Sequence, residues 1–356
     1  MPRRPPGGLA RAPEGKIHVR ANIAPVFGDH IASRSHPQRL VSSEASDLSR
    51  SCFGFSALAS FDLRFTRDGA SRDVIEVVEL RGDAPVHAEP HLLQWPEQTG
   101  VAGKLYGGKV IFDFFAEGLG WYRIAPFDRT IEVPRDADPI AREVHLWGVP
   151  AMLAFTRLGD LSLHAAAVAD GDRAVILAAP GGFGKTALTL AMHEAGCRVL
   201  TQDITRIRFE DEVVVLPGPA VVRRPAADTG AVPRGMRLVG RHGQHAYLEI
   251  DEHTRGDAGP VRVAAIVLLR EGRDAVRAWP AGPALRDIWP LTFRIPGGAD
   301  DLRTFEQLGE LAERVPVYDL ERPMGLDALP RVAAQVRALC GRPPYGPPGR
   351  SVSPSP

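Results

Sequence analysis

A glycine-rich segment between an apolar strand-like run and a helix-like run carries the clearest chemical signal. Residues 179–186 read APGGFGKT and match the phosphate-binding pattern G-x-x-x-x-G-K-[ST], except that Ala179 stands at its first glycine. Glycines let backbone N–H groups curl round a phosphate, and the following helix N-terminus adds free donors and partial positive charge. We expect Lys185 to reach the β- and γ-phosphates and Thr186 to place its hydroxyl on Mg²⁺. The predicted phosphate-binding residues are Pro180, Gly181, Gly182, Phe183, Gly184, Lys185 and Thr186.

The lysine in this segment supports the same interpretation. Four of the 43 basic residues are lysines, Lys16, Lys104, Lys109 and Lys185, and the others are arginines. Since a compact ammonium and a planar guanidinium are not interchangeable at a phosphate site, a lysine kept in such a chain favours phosphate binding. The alternative is an ordinary glycine-rich turn, and Ala179 is tolerated in a phosphate loop if its φ stays negative.

Two residues on neighbouring strand-like runs complete the candidate site. Asp203 ends the run RVLTQD, where it could hold Mg²⁺ or accept the proton of an attacking hydroxyl; the alternatives are a solvated turn acid or the N-cap of the next segment. His164 lies in LSLHAAAV, and the Asp170-Gly171 turn predicts that this run pairs antiparallel with RAVILAA. That pairing would bring His164 near the phosphates, although a lone histidine in an apolar strand is more commonly a packed residue.

Other polar residues nearby are weaker candidates. One of Arg206, Arg208, Arg223 and Arg224 could stabilise charge on a transferring phosphoryl group, and the sequence does not say which. Asp228 is either a second metal ligand or a loop acid. His193, on the helix after the glycine segment, is expected to be structural.

Composition excludes several classes of protein. The 356 residues are 44% apolar and 24% charged with zero net charge, which fits a globular chain of two domains or one large one and argues against a nucleic-acid partner. Cys52, Cys197 and Cys340 lie far apart, so a disulfide framework or zinc site is not expected. Without a long apolar run or a secretory signal, we expect a cytoplasmic protein that does not bind membranes. A homo-oligomer is left open.

The chain divides into four predicted segments. Residues 1–22 form a basic arm and residues 342–356 a Pro-rich tail, both expected to be disordered. Residues 23–150 are β-rich, with a hairpin turned at Glu117–Gly120 and a helix from residue 138 that bends at Pro150. Residues 151–341 alternate strand-like and helix-like runs around the glycine segment and form the phosphate-binding domain.

Three motifs together resemble the HPr kinase/phosphorylase family, including the HPr-kinase-like kinases of ribosomal peptide natural-product clusters. They are LHAAAV, GGFGKT and RVLTQD, with His164 preceding Lys185 by 21 positions and Asp203 following it by 18. The resemblance implies an α/β fold: an HPr-kinase/PEP-carboxykinase-like P-loop domain with a mixed sheet, preceded by a smaller β-rich region. Gln202 departs from the pattern, because many members have an aspartate at that position.

The resemblance also implies a function, an ATP-dependent kinase acting on a Ser-type hydroxyl of a peptide or small protein. ATP and Mg²⁺ would be the cofactors, with Thr186 and Asp203 as metal ligands. Asp203 would be the general base, supported by His164, and Lys185 would stabilise the phosphates. Two alternatives remain: a small-metabolite kinase on the same fold, and a non-catalytic nucleotide-binding regulatory protein.

Overall fold

The computed structural model describes residues 50–341, except 72, 82–84, 88–90, 96–102, 108–109, 229, 273–276, 281–284 and 296–297. The predicted arm at 1–22 and tail at 342–356 lie outside these residues. The described residues belong to one compact unit, and the predicted domain boundary at residue 150 stays a prediction. This unit is a mixed α/β structure, as the sequence predicts.

The N-terminal half of the described chain is a mixed sheet of short strands. Its order is β3-β1-β2-β4-β9-β8-β7-β6-β5. The predicted hairpin turn at residues 117–120 is confirmed, because it joins β7 to β8. Alternate residues such as Tyr122 and Ile124 are buried and pack with Leu153 and Phe155 of the following helices. The strands are β1 (Arg50–Cys52), β2 (Phe55–Ala59), β3 (Arg67–Asp68), β4 (Asp73–Glu79), β5 (Leu93–Trp95), β6 (Gly103–Gly107), β7 (Phe112–Ala116), β8 (Gly120–Ala125) and β9 (Thr130–Val133).

The helix predicted from residue 138 is two helices. α1 (Pro139–Leu146) begins at Asp138, whose side chain accepts a hydrogen bond from the Ala141 N–H at 2.8 Å. It ends at Trp147, and α2 (Val149–Arg157) begins directly after Gly148. Pro150 therefore lies in the first turn of α2, where no N–H is needed, and the chain breaks before the proline instead of bending at it.

A second mixed sheet is covered by helices on both faces. Along the strand Arg173–Ala178, Ala174 and Ile176 pack with the helix Gly298–Arg314, whereas Val175 and Leu177 pack with the helices Lys185–Glu194 and Leu329–Cys340. Its order is β10-β14-β15-β19-β12-β11-β13, with β21 beside β19. From Leu161 onward, the strands and helices of the second and third sheets and their connections are β10 (Leu161–Leu163), β11 (Ala165–Asp170), β12 (Arg173–Ala178), α3 (Lys185–Glu194), β13 (Arg198–Thr201), β14 (Thr205–Phe209), β15 (Val213–Leu216), β16 (Val221–Pro225), β17 (Met236–His242), β18 (His245–Ile250), α4 (Glu252–Arg255), β19 (Val261–Glu271), β20 (Arg277–Pro280), α5 (Leu285–Ile288), α6 (Gly298–Arg314), β21 (Val317–Arg322) and α7 (Leu329–Cys340).

A small third sheet, β16-β18-β17, packs beside these strands. The run LSLHAAAV is broken at His164, because β10 pairs with β14 whereas β11 pairs with β12 and β13. At the break the His164 N–H donates to the Leu291 carbonyl at 2.6 Å. The predicted antiparallel pairing with RAVILAA is confirmed for β11. None of the described helices is long and apolar enough to cross a membrane.

Buried arginines join the N-terminal sheet to the second sheet. The guanidinium of Arg67 donates to the carbonyls of Val199 and Leu200 on β13, at 2.8 and 3.2 Å. Arg206 on β14 donates to the Phe53 carbonyl and forms an ion pair with Asp160. Since both arginines are at most 1% exposed, neither guanidinium can turn to water if these acceptors are lost.

Glu143 on α1 is a buried acid whose carboxylate accepts three hydrogen bonds. Its carboxylate accepts from the backbone N–H groups of Arg64 and Phe65, both at 2.7 Å, and from the Trp147 indole at 3.1 Å. Burial nevertheless raises the pKa of Glu143 to about 7. The folded protein therefore holds this proton more tightly than the unfolded chain does.

We expect this carboxyl to make the protein less stable as the pH rises from about 4.5 to about 7. The difference in unfolding free energy between wild type and Glu143→Gln should fall by about 1–3 kcal/mol across that window and stay constant above it. Urea unfolding at pH 5 and pH 8 measures this difference. Glu76→Gln, at an exposed glutamate of β4, is the control and should show no such trend. A flat difference for Glu143→Gln would contradict the prediction.

Candidate functional site

The topology of the second sheet gathers the candidate residues at one edge. β11 runs antiparallel to both β12 and β13, so the ends of β12 and β13 and the start of β11 lie together. Lys185 follows β12, Asp203 follows β13, and His164 directly precedes β11. The three residues chosen from sequence spacing are therefore brought together by strand pairing.

The glycine loop, residues 179–186, turns from β12 into α3. Gly182 and Gly184 have φ values of +82° and +74°, which side chains rarely adopt. Ala179 is not among the described residues with positive φ, so the condition set for its tolerance holds. It is 2% exposed and packs with Leu188 of α3, which explains how a methyl group is accommodated there.

Gly184 meets a second constraint besides its backbone conformation. A Cβ at this position would lie 2.4 Å from Nη2 of Arg322. Gly171, with φ +63°, has the same left-handed backbone but no atom within 4 Å of a Cβ.

We therefore expect Gly184→Ala to cost more than Gly171→Ala. The backbone change alone costs about 1 kcal/mol at either glycine. The contact with Arg322 should add roughly 1 kcal/mol or more at position 184, because a buried side chain has to move. Urea unfolding of the two variants measures the difference, and equal losses would contradict the contact.

Lys185, His164 and Asp203 form a continuous chain of polar contacts. Nζ of Lys185 lies 3.2 Å from Nε2 of His164, and Nδ1 of His164 lies 3.2 Å from Oδ1 of Asp203. Nζ also donates to the carbonyls of Ala179 and Pro180, at 2.6 and 3.2 Å. An ammonium can only donate and a carboxylate can only accept. The imidazole therefore carries its proton on Nδ1 and offers the Nε2 lone pair to Lys185.

Electrostatics agrees with this neutral histidine. Although the His164 side chain is 46% exposed, the protein around it removes enough water to lower its pKa, and Lys185 and Arg223 lower it further against the opposing effect of Asp203. Burial also lowers the pKa of Lys185, whereas Asp203 opposes the shift. Burial alone would raise the pKa of Asp203, but the positive charges of Arg223 and its neighbours outweigh burial and lower it. The chain of contacts thus joins a cation, a neutral imidazole and a carboxylate near neutral pH.

Arg223 on β16 is the arginine that the structure brings to Asp203. Its Nη2 forms an ion pair with Oδ2 of Asp203, while His164 holds Oδ1. With Lys185 and Arg223 positive and Asp203 negative, this group carries an excess of one positive charge. Such a site attracts a polyphosphate anion.

Gln202 ties the glycine loop to β16. Its Nε2 donates to Oγ1 of Thr186 at 2.8 Å and to the Arg223 carbonyl at 3.1 Å. Its Oε1 accepts from the Arg223 N–H at 3.1 Å. An aspartate could accept from the Thr186 hydroxyl but could not donate to the Arg223 carbonyl, so the amide of Gln202 makes a contact with β16 that a carboxylate would not make.

The other arginine candidates lie elsewhere. Arg206 and Arg208 pair with Asp160. Arg224 donates to the carbonyls of Gly230 and Ala231 at 3.0 and 3.3 Å. Nothing in the sequence distinguishes Arg223 from Arg224; only strand register decides which of them faces Asp203.

The two remaining candidates have local partners. Asp228 accepts from the Gly230 N–H at 2.9 Å, which favours the loop-acid interpretation. Nε2 of His193 lies 2.8 Å from the Arg234 carbonyl, as expected for a structural histidine. Sequence reasoning also missed Arg322, which lies against the loop from the end of β21.

A small cavity opens beside Asp203. Its volume is about 70 Å³, and its walls are mostly apolar. The end of α1 and the turn before α2 supply His145, Trp147 and Gly148 to its lining, together with Asp203 and Arg223. The N-terminal half of the chain thus contributes directly to the surroundings of the carboxylate.

The donor atoms at this edge suit Mg²⁺ brought by a nucleotide. The Thr186 hydroxyl and the Asp203 carboxylate are hard oxygen donors, as this ion prefers. No group of three or more His, Cys, Asp or Glu that could hold a metal occurs among the described residues. Nucleotide phosphates and water would therefore have to supply most of the ligands.

Comparisons with known proteins give little independent support to the resemblance that the motifs suggest. No protein-family model matches the sequence, and no curated protein matches it. Among solved structures, the chain is similar to the Hpr(Ser) kinase/phosphatase from Coxiella burnetii at 13% identity. That match covers 50% of this chain and 94% of the other, with a TM-score of 0.29. A TM-score this low carries no argument about the site, so the resemblance drawn from the motifs stays a prediction.

Proposed function

We propose that this protein transfers the γ-phosphoryl group of ATP to a Ser-type hydroxyl of a peptide or small protein. The observation that supports this most is the Lys185–His164–Asp203 chain at the mouth of the glycine loop. Phosphoryl transfer needs mainly positioning and charge neutralisation. A cationic phosphate cradle with one ionised carboxylate beside it suits those needs.

Each residue has a role in this proposal. Backbone N–H groups of residues 181–186 and the N-terminus of α3 would hold the phosphates. Lys185 would exchange its carbonyl contacts for phosphate oxygens. Thr186 and Asp203 would hold Mg²⁺, which when bound neutralises phosphate charge.

Asp203 would accept the proton of the acceptor hydroxyl. Its lowered pKa keeps it ionised, and a weak base suffices when the transition state is loose. His164 would orient the Asp203 carboxylate through its Nδ1–H contact. Because the imidazole would be neutral, Lys185 would keep its positive charge. Arg223 would set the resting position of the carboxylate by holding its second oxygen.

A small-metabolite kinase is the second candidate. The cavity of about 70 Å³ beside Asp203 has room for a side chain or a small molecule. A serine side chain presented by a peptide and a small free alcohol both fit it.

The test is ATP turnover with Mg²⁺, using peptides encoded beside this gene as acceptors and intact mass as the readout. A phosphate gained by a peptide and lost with Lys185→Ala supports the peptide kinase. ATP binding without transfer to any of these peptides favours the metabolite kinase, and a panel of small hydroxyl compounds then tests it. A wild-type protein that binds no ATP contradicts both candidates.

A further inference from the structure

Arg322 is a buried cation at the glycine loop that the mechanism above does not use. It ends β21 and is 2% exposed. Its Nη2 donates to the Phe183 carbonyl at 2.7 Å and its Nη1 to the Pro323 carbonyl at 3.2 Å. Its Nε is buried and has no hydrogen-bond partner in the described structure. The guanidinium is therefore only partly satisfied.

Within the described residues Arg322 has no paired acid, in contrast to the buried Arg206 and Arg255. Arg206 is paired with Asp160, and Arg255 with Glu249. Arg67 has no such acid but donates to four carbonyls. In the described part of the chain no carboxylate lies within ion-pair distance of Arg322, and burial alone lowers its pKa. Removing an unpaired guanidinium from water is costly, so an anion that offsets it would be strongly favoured.

Topology places this charge at the edge where phosphates would sit. β21 runs parallel to β19, and β19 runs parallel to β12, so Arg322 ends its strand at the same edge as the loop. Nη2 lies 2.4 Å from the position that a Cβ of Gly184 would take. Arg322 therefore approaches the loop at Gly184, the residue just before α3, whereas Lys185 contacts the carbonyls of Ala179 and Pro180 at the other end of the loop.

We propose that Arg322 is a second phosphate-positioning cation, whose buried charge is offset when a di- or triphosphate occupies the glycine loop. The inference rests on the proposed function, since it deepens the same site. Arg322 holds the Phe183 carbonyl and adds positive potential beneath the phosphates. The resulting site discriminates by phosphate charge, favouring triphosphate over diphosphate and diphosphate over monophosphate.

The test compares wild type with Arg322→Met, which keeps much of the side-chain length and removes the charge. Calorimetric titration with ATP, ADP, AMP and inorganic tripolyphosphate gives the affinities, and thermal unfolding without ligand gives the stability. We expect the affinity for ATP and tripolyphosphate to fall roughly 10- to 100-fold, that for ADP to fall less, and that for AMP to stay within about twofold. The melting temperature without ligand should stay level or rise, because an unpaired buried charge is gone.

A purely structural role of Arg322 predicts a different result for both the melting temperature and the ligand affinities. Arg322→Met would then lower the melting temperature of the free protein and weaken all four ligands equally, and that result would overturn the inference. If Arg322→Met does not fold, Arg322→Lys takes its place in the titrations, because this variant keeps the positive charge. The loss of affinity, largest for ATP and smallest for AMP, should be smaller in Arg322→Lys than in Arg322→Met. An equal loss of affinity for all four ligands again overturns the inference.

Arg224→Met is the matched control. Arg224 is 5% exposed, has a buried unpartnered Nε and also donates to two carbonyls, but those belong to Gly230 and Ala231. It should leave the ranking of phosphate ligands unchanged, and the graded loss appearing in this variant as well would remove the assignment to Arg322.

The two proposals can fail separately. Tripolyphosphate binding that depends on Arg322, in a protein that transfers nothing to a hydroxyl, upholds this inference and overturns the kinase. Normal ATP affinity and transfer in Arg322→Met upholds the kinase and overturns the inference. A wild-type protein that binds none of the four ligands overturns both.

Discussion

Replacing Asp203 by asparagine should reduce phosphoryl transfer at least about 100-fold and leave most of the ATP affinity intact. Asparagine keeps the shape of the side chain but cannot take a proton from the acceptor hydroxyl. The nucleotide would be held by the glycine loop and Lys185, which this change does not touch. Transfer is measured by intact mass under single-turnover conditions, and ATP affinity by calorimetry.

Calorimetry with and without Mg²⁺ separates the two roles of Asp203. ATP binding that loses its dependence on Mg²⁺ supports the ligand role, whereas unchanged dependence removes the ligand role and leaves only the role as a base. Asp228→Asn is the control, because it makes the same change in the other candidate acid, which accepts from the Gly230 N–H. Normal transfer by Asp203→Asn would remove the base assignment.

Lys185→Ala should lower transfer by about 100- to 1,000-fold or more and also weaken ATP binding. Phosphate charge develops in a site from which water is partly excluded, and Lys185 is 8% exposed. An ammonium there acts more strongly than one in solvent. The same titration and mass assays measure both effects.

The control for this change is Lys104→Ala, at an exposed lysine of β6. It should behave as wild type in both assays. Because Lys185 also donates to two loop carbonyls, the variant should lose some stability, and unfolding in urea checks that it still folds. Transfer within about twofold of wild type by a folded Lys185→Ala would contradict the phosphate role of the loop.

The sequence predicts the parts of the fold and site that arise from interactions between residues close together in the chain. The glycine loop, α3 and the neighbouring strands follow from local patterns, because turn glycines and apolar periodicity act over a few residues. Sequence spacing chose His164, Lys185 and Asp203, and strand pairing brings them together. The sequence does not predict the break at His164, since LSLHAAAV is mostly apolar on both sides of it and only the different strand partners divide the run.

The other missed contacts are long-range. Arg223 and Gln202 meet the site through β16, and Arg322 comes from a strand more than one hundred residues further along the chain than the loop it touches. No local pattern marks an arginine as buried. In a chain with 43 basic residues, almost all of them arginine, composition hides the few that carry function.

The buried arginines that join the two sheets bear on how such a protein could be taken apart or recombined. Arg67 holds the carbonyls of β13, the strand that leads to Asp203, while Arg206 is capped by the Phe53 carbonyl from the N-terminal sheet. A fragment beginning at residue 151 would leave β13 without the first arginine and expose the second. The N-terminal sheet is therefore not a detachable module, and grafting another one in its place would require matching carbonyl positions along β13.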